Sequence, residues 1–79
     1  MSNNYKGFEI KSISEQLLET KKWNTSVEIV SHKGSHVVSK KFSADNIFDS
    51  KDEADKYSII FGKQIIDGVH KDISISDLL

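Results

Sequence analysis

The sequence predicts an α+β fold in which a three-stranded antiparallel sheet is followed by one long C-terminal α-helix packed on one face (β-β-β-α). Two observations lead to this prediction. Apolar and polar residues alternate along three stretches of the first half, which is typical of half-buried strands. A helical periodicity then begins after Ser50 and stops at Gly68. At 79 residues, the chain is expected to form one domain.

The first predicted strand covers residues 5–13, YKGFEIKSI. Its alternation places Phe8 and Ile10 on one face and Glu9 and Lys11 on the other, as expected for a strand with one buried face.

Residues 13–22, ISEQLLETKK, fit two structures. The segment could continue the first strand into a hairpin, or it could form a short helical turn. We favour a strand that continues to about Leu18, followed by a turn over residues 19–22.

The second and third strands are predicted as a hairpin. Residues 23–31 alternate, a turn cluster HKGS surrounds Gly34, and residues 36–42 form the third strand, with Val38 and Phe42 facing inward. Threonine, valine, isoleucine and tryptophan all suit a pleated surface. In the second strand, one side is predicted to carry Trp23, Thr25, Val27 and Ile29, and the other side Asn24, Ser26, Glu28 and Val30.

A polar connection, residues 43–49, leads to the helix, with Ile47 and Phe48 expected to pack beneath it. Ser50 followed by Glu53 three residues later is a capping box. The predicted domain therefore comprises an N-terminal tail (1–4), a sheet (5–49), a helix (50–68, with its body at 51–67) and a C-terminal tail (69–79).

The predicted helix is apolar over more of its circumference than one sheet covers. One stripe is expected to face the sheet: Ala54, Tyr57, Ser58, Phe61 and Ile65. A second flank, Ile59, Gly62 and Ile66, lies more than 90° away by ~100° steps, and Ile60 points in a third direction.

Three explanations for this flank stay open. The tail could fold back, with Ile73, Ile75, Leu78 and Leu79 covering it. The flank could instead meet a second copy of the protein, with Gly62 permitting close backbone approach, or it could simply be exposed. A chain this short without cysteine has a thin stability margin, which self-association would improve. Ile59, Gly62 and Ile66 are therefore our candidate homodimer interface.

Charge gives weak support for nucleic-acid binding. The net charge is −1, and all eleven basic residues are lysine, without the arginine that usually reads guanine and phosphate. Lys33, Lys40 and Lys41 on the hairpin are the candidate residues of a basic face for single-stranded nucleic acid, with Trp23 and Tyr5 as stacking partners. The alternative is a solvated face that guards against edge pairing.

No set of residues predicts catalysis, a metal site or a cofactor. His32 and His36 flank a turn and lack an evident third ligand, while His70 follows the helix. The carboxylates near residue 50, namely Asp49, Asp52, Glu53 and Asp55, lie where a helix N-terminus favours negative charge. We therefore expect a protein that is not an enzyme and binds no cofactor.

The chain also lacks the pattern of a secreted or membrane protein. MSNNYKGFEI has no basic region followed by an apolar run, and apolar runs elsewhere reach only two or three residues. A cytoplasmic location is expected.

Three motifs resemble a group of small, single-domain bacterial proteins. They are the opening YKGFEI, a lone tryptophan at the start of the second strand, and a Ser-x-x-Glu-Ala cap that leads into FGKQIIDG. The resemblance covers residues 5–68 and implies a β-β-β-α fold without assigned catalytic residues. Some similar families carry a transcriptional-activator label.

The sequence therefore favours a non-enzymatic interaction module that pairs with itself or with another protein. The alternative is an accessory nucleic-acid-binding or transcription-regulatory protein that uses the lysine-bearing sheet face.

Overall fold

The computed structural model describes residues 2–78, except for the side chain of Asp77. Its elements are four strands, β1 (Ser2–Tyr5), β2 (Phe8–Ser12), β3 (Trp23–Lys33) and β4 (His36–Phe48), the helix α1 (Lys51–Ile66) and a short 3-10 helix (Ser76–Leu78). The strands form one antiparallel sheet in the order β1-β2-β3-β4. The predicted α+β class with a C-terminal helix is confirmed, but the sheet has four strands rather than three.

The additional strand arises because the chain turns inside the predicted first strand, so that Tyr5 and the residues before it form a separate strand. Lys6 and Gly7 both adopt left-handed backbone conformations, with φ of 49° and 86°, and Tyr5 pairs with Phe8 across them. Two successive residues with positive φ are typical of the tight turn that joins hairpin strands. Residues 2–4 therefore belong to β1, and the predicted N-terminal tail is wrong there. Met1 lies outside the described residues.

β4 is longer than predicted. It continues through most of the expected polar connection to Phe48, because residues 43–48 pair with the beginning of β3. A register shift beside Thr25 interrupts this pairing, and the Thr25 hydroxyl donates a hydrogen bond of 2.9 Å to the Asn46 carbonyl. Phe48 packs on Tyr57, with ring centroids 5.4 Å apart, as expected, whereas Ile47 is 54% exposed.

Residues 13–22 contain no helix. β2 ends at Ser12, and the chain then continues alongside β3: Ile13 N donates to Ser26 O, and Asn24 N donates to Glu15 O, both at 3.0 Å. The turn that follows reaches Lys21, which has a φ of 58°. This segment thereby brings the chain back to the start of β3.

The helix begins and ends close to the predicted positions. The Ser50 hydroxyl accepts a hydrogen bond of 3.2 Å from Glu53 N, which confirms the N-cap. Asp67 is the C-cap, and Gly68 follows it with a φ of 79°. No helix within residues 2–78 combines the length and the apolar character needed to cross a membrane.

The core lies between one face of the sheet and two coverings, α1 and the C-terminal tail. Ile10, Val27 and Ile29 of the sheet are fully buried. The helix buries Ala54, Asp55, Ser58, Ile59, Phe61, Gly62 and Ile65. Leu78 in the tail is only 1% exposed, its 3-10 helix contacts β4, and Ile73 and Ile75 pack against the same cluster. The tail therefore completes the core beside the helix.

Candidate interaction surface

The predicted interface residues do not form an outward-facing flank. Ile59 is 7% exposed, and a Cβ added to Gly62 would lie 2.6 Å from the Cγ2 of Ile10 in β2. The close approach that this glycine permits is therefore made by the chain's own sheet, and the predicted placement of Ile59 and Gly62 is wrong. The buried arc of the helix is wider than the single stripe predicted to face the sheet, and it includes both Ile59 and Gly62.

Ile66 lies at the other side of the helix, where the tail returns. It is half-buried and lines a cleft of about 360 Å³ together with Ile73 and Ile75. Of the three explanations, the one in which the tail folds back is therefore correct for this side of the helix. The residues involved are Ile66, Ile73, Ile75 and Leu78. Leu79, which was expected to join them, lies outside the described residues.

The apolar helix residue left open is Ile60. It is 50% exposed, and with Ile59 and Lys56 it forms one wall of a groove of about 380 Å³. Ser2 and Asn3 of β1 form the other wall. We call this the β1–α1 groove. Of its lining residues, only Ile59 belonged to the predicted interface, although the helical pattern placed Ile60 apart from both apolar stripes.

The groove runs beside an open edge of the sheet. Tyr5 and Phe8 close the two-residue turn, so they form a hydrogen-bonded pair of the ladder. Because such pairs alternate along antiparallel strands, the N–H and C=O groups of Ser2 and Asn4 point away from β2. No strand within residues 2–78 pairs with this edge.

The opposite edge of the sheet, β4, is protected against pairing. It carries Lys40 and Lys41, and a bulge interrupts it beside Ala44. Edge lysines and bulges are devices that discourage strand-to-strand association. β1, with the sequence SNNY, contains no charged residue or proline and has no register shift. The two edges therefore differ in their readiness to accept a further strand.

A polar cluster fixes β1 to the end of the helix. Asp67 accepts hydrogen bonds from the Tyr5 hydroxyl at 2.7 Å and from Lys6 Nζ at 2.5 Å. The ammonium groups of Lys6 and Lys63 lie 5.3 and 5.5 Å from the centre of the Tyr5 ring, within cation–π range. We call these four residues the Tyr5–Asp67 clasp. It joins the first and last of the motifs quoted above, YKGFEI and FGKQIIDG.

The clasp alters the acid–base properties of its members. Hydrogen bonds from Lys6 and then Tyr5 lower the pKa of the Asp67 carboxyl, because both favour the charged form. The hydrogen bond to Asp67 raises the pKa of Tyr5, and the same carboxylate raises the pKa of Lys6. The clasp is therefore an ionised contact at neutral pH.

A second polar network joins β2 to the first half of the helix. Asp55, 6% exposed, accepts hydrogen bonds from Ser12 Oγ at 2.6 Å and Lys51 Nζ at 2.7 Å. Ser14 and Ser58 are linked beside it at 3.0 Å. Burial alone would raise the pKa of Asp55, but the hydrogen bonds from Lys51 and Ser12 lower it below its ordinary value. A carboxylate so stabilised is a weak base, so this network is a structural connection.

The lysines proposed for nucleic-acid binding do not share a face. Lys40 lies opposite Ile29 in the register and Lys41 lies opposite Glu28, so these two neighbours point to opposite sides of the sheet. Lys33 pairs with His36 at the hairpin end and by the same alternation lies on the side of Lys40, so only two of the three lysines share a side. The prediction of one lysine-bearing face is therefore wrong, because adjacent strand positions alternate.

The histidines and the remaining carboxylates named in the following sentences contact different neighbours and are not gathered at one site. His32 Nε2 lies 3.5 Å from Glu9, whereas His70 Nε2 lies 2.9 Å from Gln64 Oε1. Asp52 pairs with Lys56 one helical turn later, at 3.2 Å. Within the described part of the chain, no three histidine, aspartate or glutamate side chains form a group able to hold a metal ion.

Comparison with protein-family models, curated proteins and solved structures found no match for this chain.

Proposed function

We propose that this protein is a non-enzymatic interaction module that binds an extended strand along the free edge of β1, in the β1–α1 groove. The observation that supports this most directly is Ile60, half-exposed beside an unpaired sheet edge. The sheet and the tail of the same chain cover most of the apolar surface of the helix, and Ile60 is the exception.

Strand addition would use both the backbone hydrogen-bonding groups and the apolar side chains of the groove. Backbone N–H and C=O groups of Ser2 and Asn4 would bond the added strand, as in other cases where a peptide extends a sheet. Alternate side chains of that strand would face the helix, because successive residues point to opposite sides. They would meet Ile59, Ile60 and the aliphatic stem of Lys56. The module therefore favours an extended segment with an apolar residue on the helix side.

Selection from a displayed random-peptide library tests this proposal. Selected peptides should share an extended, alternating pattern and should protect the Asn4 amide from hydrogen exchange. Ile60→Asp should weaken their binding at least about tenfold, since it puts a charge into the apolar contact. Leu18→Asp is the matched control, because Leu18 is 93% exposed in a loop that does not line the groove. Peptides that bind Ile60→Asp as well as the native chain would refute the proposal.

Nucleic-acid binding has less support as an alternative. Lys40 and Lys41 point to opposite sides of the sheet, and Lys41 lies opposite Glu28. A protein that binds through phosphate contacts would need several lysines on one surface.

A further inference from the structure

The free edge of β1 is complementary to itself, and we infer that the strand it takes up is β1 of a second copy of this chain. The inference rests on the proposed function and names its partner. It predicts a homodimer with a continuous sheet of eight strands, in which the two β1 strands are central.

The directions of the backbone groups select one register. Outward-pointing groups belong to Ser2 and Asn4, whereas those of Asn3 point toward β2. Placing Asn3 opposite Asn3 of the second copy aligns each Ser2 with the other Asn4, and each such pair exchanges two hydrogen bonds. A shift by one residue would set outward-pointing groups against inward-pointing ones. A shift by two residues keeps the directions but pairs only one of the two outward-pointing residues of β1 with its counterpart. The register with the most hydrogen bonds is thus symmetric about Asn3, as a twofold dimer requires.

The same arrangement accounts for the difference between the two sheet edges. A twofold axis perpendicular to the sheet places both copies of α1 on the same side, with Ile60 of each helix beside the central strands. The two β1 edges, which have no charged residue and no bulge, become buried between the two copies. The edges left at the two ends are both β4, which carry the lysines and the bulge.

Charge and composition do not oppose this contact. β1 contains no charged residue, and Asn3, which lines the groove, would meet a second asparagine amide that can both donate and accept hydrogen bonds. Lys56 at the groove is paired with Asp52 of its own helix at 3.2 Å. Two copies can therefore approach without bringing unpaired lysines together at this wall.

Cysteine cross-linking tests the register directly, because the chain contains no cysteine. In the inferred dimer the two Asn3 Cα atoms are about 4.5 Å apart, within disulfide range. The two Asn4 Cα atoms are two residues apart along the paired strands, so the distance between them is about 8 Å, which is too far. Asn3→Cys should therefore form a disulfide-linked dimer under mild oxidation at least about tenfold faster than Asn4→Cys, whose position is also exposed.

Light scattering supplies the second measurement. The native protein should have a solution mass twice that of one chain, which is 8.9 kDa. Asn4→Pro should be monomeric, since it removes an outward N–H but no bond to β2, whereas Asn4→Ala should stay dimeric. Circular dichroism would show that both variants are folded.

The outcomes separate the two proposals. A native monomer that still binds selected peptides at the β1 edge would overturn the second copy as partner and leave strand addition intact. A dimer that persists in Asn4→Pro, or that cross-links through Asn4→Cys as fast as through Asn3→Cys, would overturn the inferred interface. Failure of both dimerisation and peptide binding would refute the proposed function itself.

Discussion

A Cβ atom added to Gly62 would lie 2.6 Å from Cγ2 of Ile10 and 3.2 Å from Cγ2 of Val27. The backbone of α1 therefore touches the centre of the sheet at this glycine. Ile10 and Val27 are both fully buried, and because both side chains branch at Cβ, neither Cγ2 atom can move aside without a change of χ1. This contact sets the distance between helix and sheet, and with it the position of Ile60 over the β1 edge.

Gly62→Ala should destabilise the protein despite its better helix propensity. The added methyl overpacks the core at a cost of about 1–3 kcal/mol. Alanine recovers about 1 kcal/mol relative to glycine in a helix. We expect a net loss of up to about 2 kcal/mol in the free energy of unfolding, measured in urea. A gain would mean that Gly62 does not face the sheet. The loss should shrink when Ile10→Ala is combined with it.

Leu78→Ala should show that the tail belongs to the core of its own chain. Leu78 is 1% exposed, and leucine-to-alanine changes at buried sites cost about 2–5 kcal/mol. Val69→Ala is the control, because Val69 is 61% exposed and its truncation should change stability by less than about 0.5 kcal/mol. The effect of Leu78→Ala should not depend on protein concentration. A loss that appears only where the chain is associated would place the tail on a second copy.

The Tyr5–Asp67 clasp should make stability fall in acid. The pKa of Asp67 in the folded chain lies below the ordinary 3.8, so its contribution is complete above about pH 5 and is lost as pH falls through 3.8 and below. Asp67→Asn should therefore be less stable than the native chain at pH 7, with the difference narrowing at pH 3. Urea unfolding at both values measures this. Asp72→Asn, at an exposed position in the tail, is the control. A difference that stays constant with pH would contradict the ionised clasp.

Ser50→Ala should cost about 1 kcal/mol of unfolding free energy, the usual value for a lost helix cap. The Ser50 hydroxyl accepts the hydrogen bond from Glu53 N, and alanine leaves that N–H without its side-chain partner. Ser50→Asp keeps an acceptor at the same place and should be nearly neutral. Equal losses in the two variants, in thermal or urea unfolding, would contradict a capping role.

Local patterns predicted the helix and the β3–β4 hairpin well, because caps and glycine turns act over a few residues. The Lys6–Gly7 turn was missed since lysine is not a typical first residue of such turns, and the alternation continues through it. The extension of β4 was missed for a different reason. An edge strand can be polar along much of its length, so residues 43–48 resemble a loop until their partner strand is known.

The candidate site was less predictable. Helical periodicity gives the angles between side chains but not which arc faces the sheet, and that arc includes Ile59 and Gly62. Ile60 was recognisable as apolar and separate. The groove also depends on β1, which lies beside the helix only in the folded chain, so sequence pattern alone did not locate it.

The strand order of the sheet has a consequence for the folding kinetics. Each strand pairs with its neighbour in sequence, so the sheet forms from short loops and should fold fast. The Tyr5–Asp67 hydrogen bond instead spans 62 residues and closes a long loop, so it should form after the main barrier. Weakening it would then accelerate unfolding and leave the folding rate nearly unchanged. The clasp would thus govern how long each molecule keeps β1 beside its helix, and hence the lifetime of whatever is bound there.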